Sequence, residues 1–465
     1  MLRAPSRWAR AGVGTVKIAV IGAGIGGLAS AWLLGQRHRV TLFEANGYLG
    51  GHTNTVDIEL EGIGHPVDTG FLVCNRRTYP NLTALFAHLG VATVPSDMSF
   101  SVSLADRDLE WAGTNLATVF GQRRNLARPA FWRMLRDIVR FNRAATAVAT
   151  ADGAARPAAR GAATLGEFLH ADRYSAEFRD WYLLPMAAAI WSCPTAAMLD
   201  YPLATFARFC HNHGLLRLTD RPQWLTVAGG GREYVRCLAR AIPDVRLASP
   251  VRSVDPGPAG VLVCTDRGVE RFDAAVLACH TGQALAMIER PSAAERRVLD
   301  AIPYQRNRAV LHTDPGLLPR RKTLWSAWNY IAGAGAAGRR PVGVSYLINK
   351  LQPLPFRTPV VVTLNPPVEP AAHHVLAEFE YEHPVFGLDA PAAQAALGTI
   401  QGKRGLWFCG AWAGHGFHED GLRSALAVAN ALGCAAPWQD AHAAAAAPAH
   451  GGAGEAAPTA LEAVE

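Results

Sequence analysis

The sequence predicts an α/β protein: a discontinuous Rossmann-like dinucleotide-binding domain joined to a mixed α+β second domain. Three observations predict it. A strand, a glycine turn and a helix follow one another near the amino terminus. An acidic residue closes the next strand. Two later stretches repeat the strand-and-turn character of that opening unit.

The opening unit reads VKIAVIGAGIGGLASAWLL, then HRVTLFEA. Gly22, Gly24 and Gly27 spell G-x-G-x-x-G, with Gly26 inside the same turn. The first glycine permits the tight turn, the second leaves room for a pyrophosphate, and the third lets helix pack on strand. The helix amino terminus then offers N–H groups and partial positive charge to phosphates. Glu44 follows Gly24 by twenty residues and can accept hydrogen bonds from a ribose 2′-OH. Its charge would repel a 2′-phosphate, which argues against NADP. Gly333, Gly335 and Gly338 repeat the pattern without a leading strand or a following helix. That match reads as chance, in a mobile loop between two extended segments. One nucleotide site implies that electrons come from the substrate itself.

Two further segments belong with the opening unit, which spans 16–73. Residues 228–279 hold a Gly-rich turn, a helix and short strands at Val251–Val254, Val261–Thr265 and Ala274–Ala278. Residues 403–435 hold a strand, a second glycine turn and a helix. The intervening 74–227 and 280–402 form the second domain, with helices expected in the first stretch and strands in the second (WSAWNYI, VGVSYLI, PVVVTLN). The active site is expected between the domains.

The chain's 465 residues, half of them hydrophobic, suffice for two or three buried cores. No apolar run reaches the roughly eighteen residues that span a bilayer. The first fifteen residues read as a disordered extension, and 440–465, rich in Ala, Gly and Pro, as a disordered tail. Ala151–Ala163 reads as a flexible loop. Eight scattered cysteines without C-x-x-C spacing fit reduced, buried thiols and a cytoplasmic location. A net charge of +7 without a dense basic block gives no sign of a nucleic-acid partner.

Longer motifs then carry a resemblance. They are GGHTNTV, PVDTGFLVCN, LPMAAAIWS, FCHNHGLL, SAWNYI, TLNPP, YEHPVF and GFHEDGLRSAL. The chain resembles the flavin-containing amine-oxidase-like superfamily, with its monoamine oxidases, protoporphyrinogen oxidases and phytoene desaturases. Within it the chain is most similar to a bacterial branch of predicted FAD/NAD-binding oxidoreductases, from Val16 to Leu432. The resemblance implies FAD as the cofactor. It implies that Gly50 and Gly51, with His52 and Thr53 after them, cradle the cofactor, and that Asp68, Thr69 and Gly70 form a turn near the flavin. It further implies contacts from Val251 to the adenine half, and from Gly410, Asp420, Gly421 and Leu422 to the pyrophosphate and isoalloxazine. Tyr48 and His52 stand where the superfamily usually carries basic residues. The lysine of many amine oxidases has no counterpart, since Lys322 and Lys350 carry no motif.

A helix is expected to open at Gly421 with Asp420 as its N-cap, its positive end near the flavin N1/C2 carbonyl. His418, Glu419 and Asp420 read first as cap and turn chemistry; the sharper reading makes His418 a catalytic acid or base. Their divergent directions argue against a metal site. FCHNHGLL reads as a helix end with a glycine stop, which separates His211 from His213. Cys74 and Cys409 lie near flavin motifs and read as inert buried thiols, with a covalent flavin link as the alternative.

Aromatic residues crowd the second domain; most are expected to be core, and a few to line an apolar pocket. Phe131, Leu135, Ile138 and Val139 recur at helical spacing among Arg133, Arg136, Arg140 and Arg143. This reads as a domain helix with a solvated arginine face, the alternative being peripheral contact with an anionic membrane. The expected activity is FAD-dependent dehydrogenation or desaturation of a C–H bond in an apolar, lipid-like substrate. Amine oxidation, redox-neutral double-bond isomerisation and a binding-only flavoprotein are the alternatives.

Overall fold

The computed structural model describes residues 14–150, 163–191, 195–217, 221–333 and 342–439. The expectations for the amino-terminal extension up to residue 13, for 151–162, for the tail 440–465 and for the loop holding Gly335 and Gly338 lie outside these described residues.

A five-stranded parallel sheet organises the first half of the architecture. Its order is Leu406–Phe408, Ala274–Leu277, Lys17–Ile21, Arg39–Phe43 and Asp244–Arg246. Strands from three distant stretches of chain thus lie side by side. The central strands are continuous apolar runs because both faces are covered. Ile18, Val20, Leu42, Ala274 and Val276 pack on Leu28 and Leu33 of the first helix and on Val428 of the last. Ala19, Ile21, Phe43, Ala275 and Leu277 point the other way, toward Val263 and Phe272. Those two belong to a three-stranded antiparallel sheet of Val251–Gly257, Gly260–Thr265 and Gly268–Phe272.

The first helix, Ile25–Gly35, starts directly after the glycine turn. The last helix corrects an expectation. It runs His418–Ala431 with Phe417 at the N-cap, three residues earlier than a start at Gly421. Asp420 sits inside the first turn. Its carboxylate accepts from the backbone N–H groups of His415 (2.9 Å) and Phe417 (3.1 Å), so it organises the entry from within.

The second half is built on a seven-stranded sheet. Its order is Val375–Pro384, Tyr304–His312, Val361–Leu364, Val342–Leu347, Trp328–Ala332, Phe100–Leu104 and Leu109–Ala112. The last two strands come from the stretch expected to be helical. Phe100–Leu104 pairs in parallel with Trp328–Ala332, which stitches the two stretches together. Helices Pro129–Thr150, Leu165–Ala171, Leu184–Trp191 and Leu203–Asn212 surround a core of Phe131, Phe141, Phe168, Phe178 and Phe206. The last of them ends at His213, and Gly214 takes φ +69°, the expected stop.

The SAWNYI motif is structural. Asn329 is fully buried, accepts from Ser101 Oγ (2.7 Å) and the Ser326 N–H (2.9 Å), and donates to the Ser326 (2.6 Å) and Ser345 (3.0 Å) carbonyls. Asn329→Leu strands those groups without water, and urea denaturation is expected to show a loss of about 2–4 kcal/mol.

Candidate active site

The site lies at the carboxyl ends of the parallel strands, where open α/β sheets bind ligands. Gly22 takes φ +99°, a conformation that L side chains rarely adopt. A Cβ on Gly27 would fall 1.8 Å from the Gly22 carbonyl oxygen, so strand and helix touch backbone to backbone. A Cβ on Gly24 would meet nothing within 4 Å. The open space at this turn therefore lies over Gly24, at the helix amino end. Glu44 reaches the same turn: its carboxylate accepts from the N–H groups of Ala23 and Asn46, both at 2.8 Å. Each oxygen retains a lone pair for a ribose hydroxyl.

Gly50 donates to the Ala23 carbonyl at 2.9 Å, and a Cβ on Gly51 would stand 3.2 Å from Gly24 Cα. Both therefore lie beside the first turn. Gly26 lies 3.6 Å, by the same construction, from the Gly421 carbonyl and from Cys409 Sγ. Gly421 in turn approaches Ile25 Cγ2 at 2.9 Å. The amino ends of the first and last helices therefore meet, and two positive dipole ends converge on one crevice. Gly410 joins them through its N–H, which donates to Ser424 Oγ at 2.9 Å. Leu422 points into the apolar core. Val251 follows closely after Ser249, whose N–H donates to the Glu44 carbonyl at 2.9 Å.

Asp68 is buried and fully engaged. It accepts from Thr55 Oγ1 (2.5 Å), from the Gly231 N–H (2.9 and 3.0 Å) and from Gln352 Nε2 (2.8 Å). Burial pushes its pKa up to about 6 despite these donors. It clamps the turn at Gly70 to the Gly-rich turn before Arg232–Arg240 and to the second domain. Thr69 Oγ1 bonds the Tyr381 hydroxyl at 2.7 Å and the Asn54 carbonyl at 2.9 Å. Gly70 leaves space for the His52 carbonyl, which a Cβ would approach to 2.1 Å.

The three adjacent polar residues at the last helix diverge. His418 Nε2 lies 2.9 Å from Thr53 Oγ1, and its ring stacks on Phe71 at 4.0 Å. Thr53 in turn bonds the Tyr234 hydroxyl. Desolvation pushes His418 down to about pKa 3 while part of its surface stays accessible, so it is a neutral imidazole at any physiological pH. Glu419 caps another helix, accepting from the N–H groups of Asn81 (3.1 Å) and Leu82 (2.9 Å). Asp420 holds His415, Phe417 and Arg423.

A histidine cluster was invisible in the motifs. His52 stands 5.1 Å from His383, 6.4 Å from His280 and 5.2 Å from the Tyr381 ring, between centroids. His280 follows the strand Ala274–Leu277 and so belongs to the ligand edge of the sheet; its Nδ1 lies 2.9 Å from Glu382 Oε2. Desolvation lowers all three pKa values, that of His383 to about 4. His52 Nε2 is buried with no hydrogen-bond partner. Tyr381 and His383 share the YEHPVF strand, a pairing no local spacing announces.

Cys74 and Cys409 are buried thiols pushed up to about 12, chiefly by desolvation. All seven described cysteines are free. Among the described residues no three His, Cys, Asp or Glu side chains are placed to hold a metal ion.

These features define a class: a dinucleotide-binding flavoprotein fold with an open glycine turn, a ribose-facing carboxylate and two convergent helix ends. The profile of the family "Flavin containing amine oxidoreductase" matches residues 25–317, more than half of the chain, and the protein belongs to that family. It is an FAD-dependent oxidoreductase. Gly24, Glu44, Gly51 and the two helix ends fit the cofactor's diphosphate and ribose, and the unpartnered Nε2 of His52 offers a further polar contact. No curated protein sequence matches the chain significantly.

Solved structures share the fold. A fatty acid isomerase from P. acnes has a TM-score of 0.62 and 14% identity, covering 88% of this chain and 97% of that one. A putrescine oxidase bound to putrescine gives 0.63 and 16%, covering 90% and 98%. Cyclohexylamine oxidase from Brevibacterium oxydans gives 0.60 and 18%, covering 90% and 98%.

Two predictions follow from the geometry. Gly24→Ala is expected to fold with an unchanged melting temperature yet to retain FAD at least about tenfold more weakly. Gly27→Ala is expected to lose the fold. Flavin fluorescence and thermal melts separate the two. The second concerns pH. His52, His213, His383 and His418 stay neutral in the folded chain well below the pH near 6.5 at which the unfolded chain protonates them. The unfolded state then binds more protons, so folding stability is full above pH 6.5 and falls as pH drops toward 4. Each group contributes about 1.4 kcal/mol per pH unit. The raised pKa of Asp68 has the opposite sign and offsets one of them between about 4 and 6. Denaturation midpoints of the FAD-free protein at pH 7 and 5 measure the net loss.

Proposed function

We propose that the protein dehydrogenates or desaturates a C–H bond of an uncharged, apolar, lipid-like substrate. The observation that carries this reading is the state of the ionisable side chains at the crevice. Glu44, Asp68, Glu419 and Asp420 each spend their carboxylates on protein donors. Asp68, Glu419 and Asp420 are thereby turned to the protein's own donors, and Glu44 stands at the first glycine turn. The chain's four lysines lie away from the glycine turns. Lys17 and Lys350 pair with Glu270 and Asp97, Lys322 lies over the Trp325 ring, and Lys403 is exposed.

The imidazoles around the turns are neutral, and burying an unpaired charge among them would be costly. Phe417, the N-cap of the last helix, stacks on Phe209 at 5.0 Å and continues through the neutral His213 to Trp224 and Tyr79 as an aromatic wall. The fold shared with a fatty acid isomerase supports the lipid class, and the folds shared with amine oxidases supply the competing reading.

Bound FAD supplies the hydride acceptor at flavin N5. The chain's own residues hold the reactants. The two helix ends and the glycine turns fix the diphosphate, Glu44 accepts from the ribose, and the dipole of His418–Ala431 favours negative charge at its amino end. Thr53 fixes the neutral His418 ring against Phe71, and the aromatic wall excludes water from an apolar chain.

The test is anaerobic incubation of the purified holoprotein with acyl lipids and with amines, followed by flavin absorbance. Bleaching by unsaturated or saturated acyl lipids is expected. Bleaching by amines alone would overturn the reading. Double-bond migration without bleaching or acceptor consumption would replace it with isomerisation.

A further inference from the structure

The chain carries a strongly asymmetric surface that the proposed chemistry does not use. Residues 113–150 contain seven arginines and one aspartate, a net +6 out of the chain's +7. The aspartate, Asp137, is buried and spends its carboxylate on Arg140 (2.8 Å) and the Ser175 N–H (2.9 Å). Exposed apolar side chains gather in the same segment. Leu116 is 77% exposed, Trp132 50%, Leu126 47% and Val139 38%.

The helix Pro129–Thr150 organises this face. Phe131, Met134, Ile138 and Phe141 anchor one side in the core, which turns Trp132, Arg136, Val139 and Arg143 outward. The Trp132 indole donates to the Leu126 carbonyl at 2.9 Å, so the preceding turn and the helix present their apolar groups as one unit. Arg133 pairs with Glu177 and Arg124 with Asp108. Arg123 and Arg143 have no ion-pair partner among the described residues and are exposed. Shallow clefts run between Trp132, Arg133 and Arg136 and between Arg136, Val139 and Arg143.

We propose that this face docks on the surface of an anionic phospholipid bilayer. Its 22-residue helix would lie flat, with Leu126, Trp132 and Val139 reaching below the headgroups and the exposed arginines among the lipid phosphates. Charge complementarity selects an anionic partner. The apolar groups select among anionic partners: a bilayer gives aliphatic side chains a hydrocarbon phase, whereas a nucleic acid leaves Leu126 and Val139 in water. No helix among the described residues is long and apolar enough to cross a membrane, so the contact is peripheral. The proposal rests on the surface alone, independently of the substrate reading.

Co-sedimentation of the holoprotein with vesicles tests it. Vesicles of phosphatidylcholine with phosphatidylglycerol are compared with phosphatidylcholine alone, at low and physiological salt. Binding to the anionic vesicles is expected, at least about tenfold stronger than to neutral ones and weakened by salt. Arg136→Gln with Arg143→Gln should lower it at least about tenfold, and Leu126→Ser with Val139→Ser several-fold. Both variants should stay yellow with nearly unchanged melting, since they alter exposed groups and add no charge beside the buried Asp137.

Equal partition of wild type and variants would overturn the proposal, as would no binding to anionic vesicles. Loss with the arginine variant but none with the apolar variant, together with binding to DNA or heparin, would make the face a general polyanion site. A dimer in sedimentation that Arg136→Gln with Arg143→Gln dissolves would make it a self-interface.

Discussion

Two helices can bring their amino ends together only where no side chain stands between them. Gly26 and Gly421 meet that condition at the ends of helices formed from residues nearly 400 positions apart in the chain. The crevice depends on that approach. Each helix end carries about half a positive charge and several unsatisfied N–H groups. Bringing two such ends together is unfavourable in isolation, so the packing that enforces it belongs to the sheet beneath. Ile18, Val20 and Val276 hold both helices on one apolar face. The fold thus stores a site whose electrostatics favour an anion, and the diphosphate of FAD has the matching charge.

The same constraint explains where the acids went. A carboxylate beside two positive helix ends would compete with the cofactor's phosphates if it were free. Glu419 instead points out of the crevice to cap Pro80–Leu89, and Asp420 folds back on the turn that precedes its own helix. Asp68 is drawn into a clamp with Gly231 and Gln352. Glu44 alone of these acids stays at the first glycine turn, where it would accept from the cofactor's ribose. The acids at the turns are thus held by the protein's own donors, and the imidazoles beside them are neutral.

What was legible in the sequence was what is local. Gly22 to Gly27 and Glu44 were readable because strand, turn and acid follow in fixed order, and the parallel sheet followed from the same pattern. The last helix was readable as a helix but not in its start. Asp420 looked like an N-cap because acids commonly cap, whereas here its carboxylate binds backbone upstream of the helix and extends it by a turn. The hairpin of Phe100–Leu104 and Leu109–Ala112 hid inside a helical stretch because the strand that takes it into the sheet, Trp328–Ala332, lies more than two hundred residues downstream. The cluster of His52, His280 and His383 and the clamp on Asp68 had no sequence signal at all. Their members sit on separate strands and loops and become neighbours only when the domains close on one another.

The arginine helix sharpens the difference between periodicity and exposure. Its apolar spacing predicted a buried face, and Phe131, Ile138 and Phe141 are buried. Spacing alone could not say what the other face carries. Trp132 and Val139 stand among the arginines, and while Arg124, Arg133 and Arg140 have acid partners, Arg123 and Arg143 have none among the described residues. A surface that is both cationic and apolar is costly to leave in water on two counts, hydration of hydrocarbon and crowding of like charge. An anionic lipid interface relieves both at once, and it would place an enzyme with a neutral, aromatic-walled crevice beside a reservoir of apolar chains.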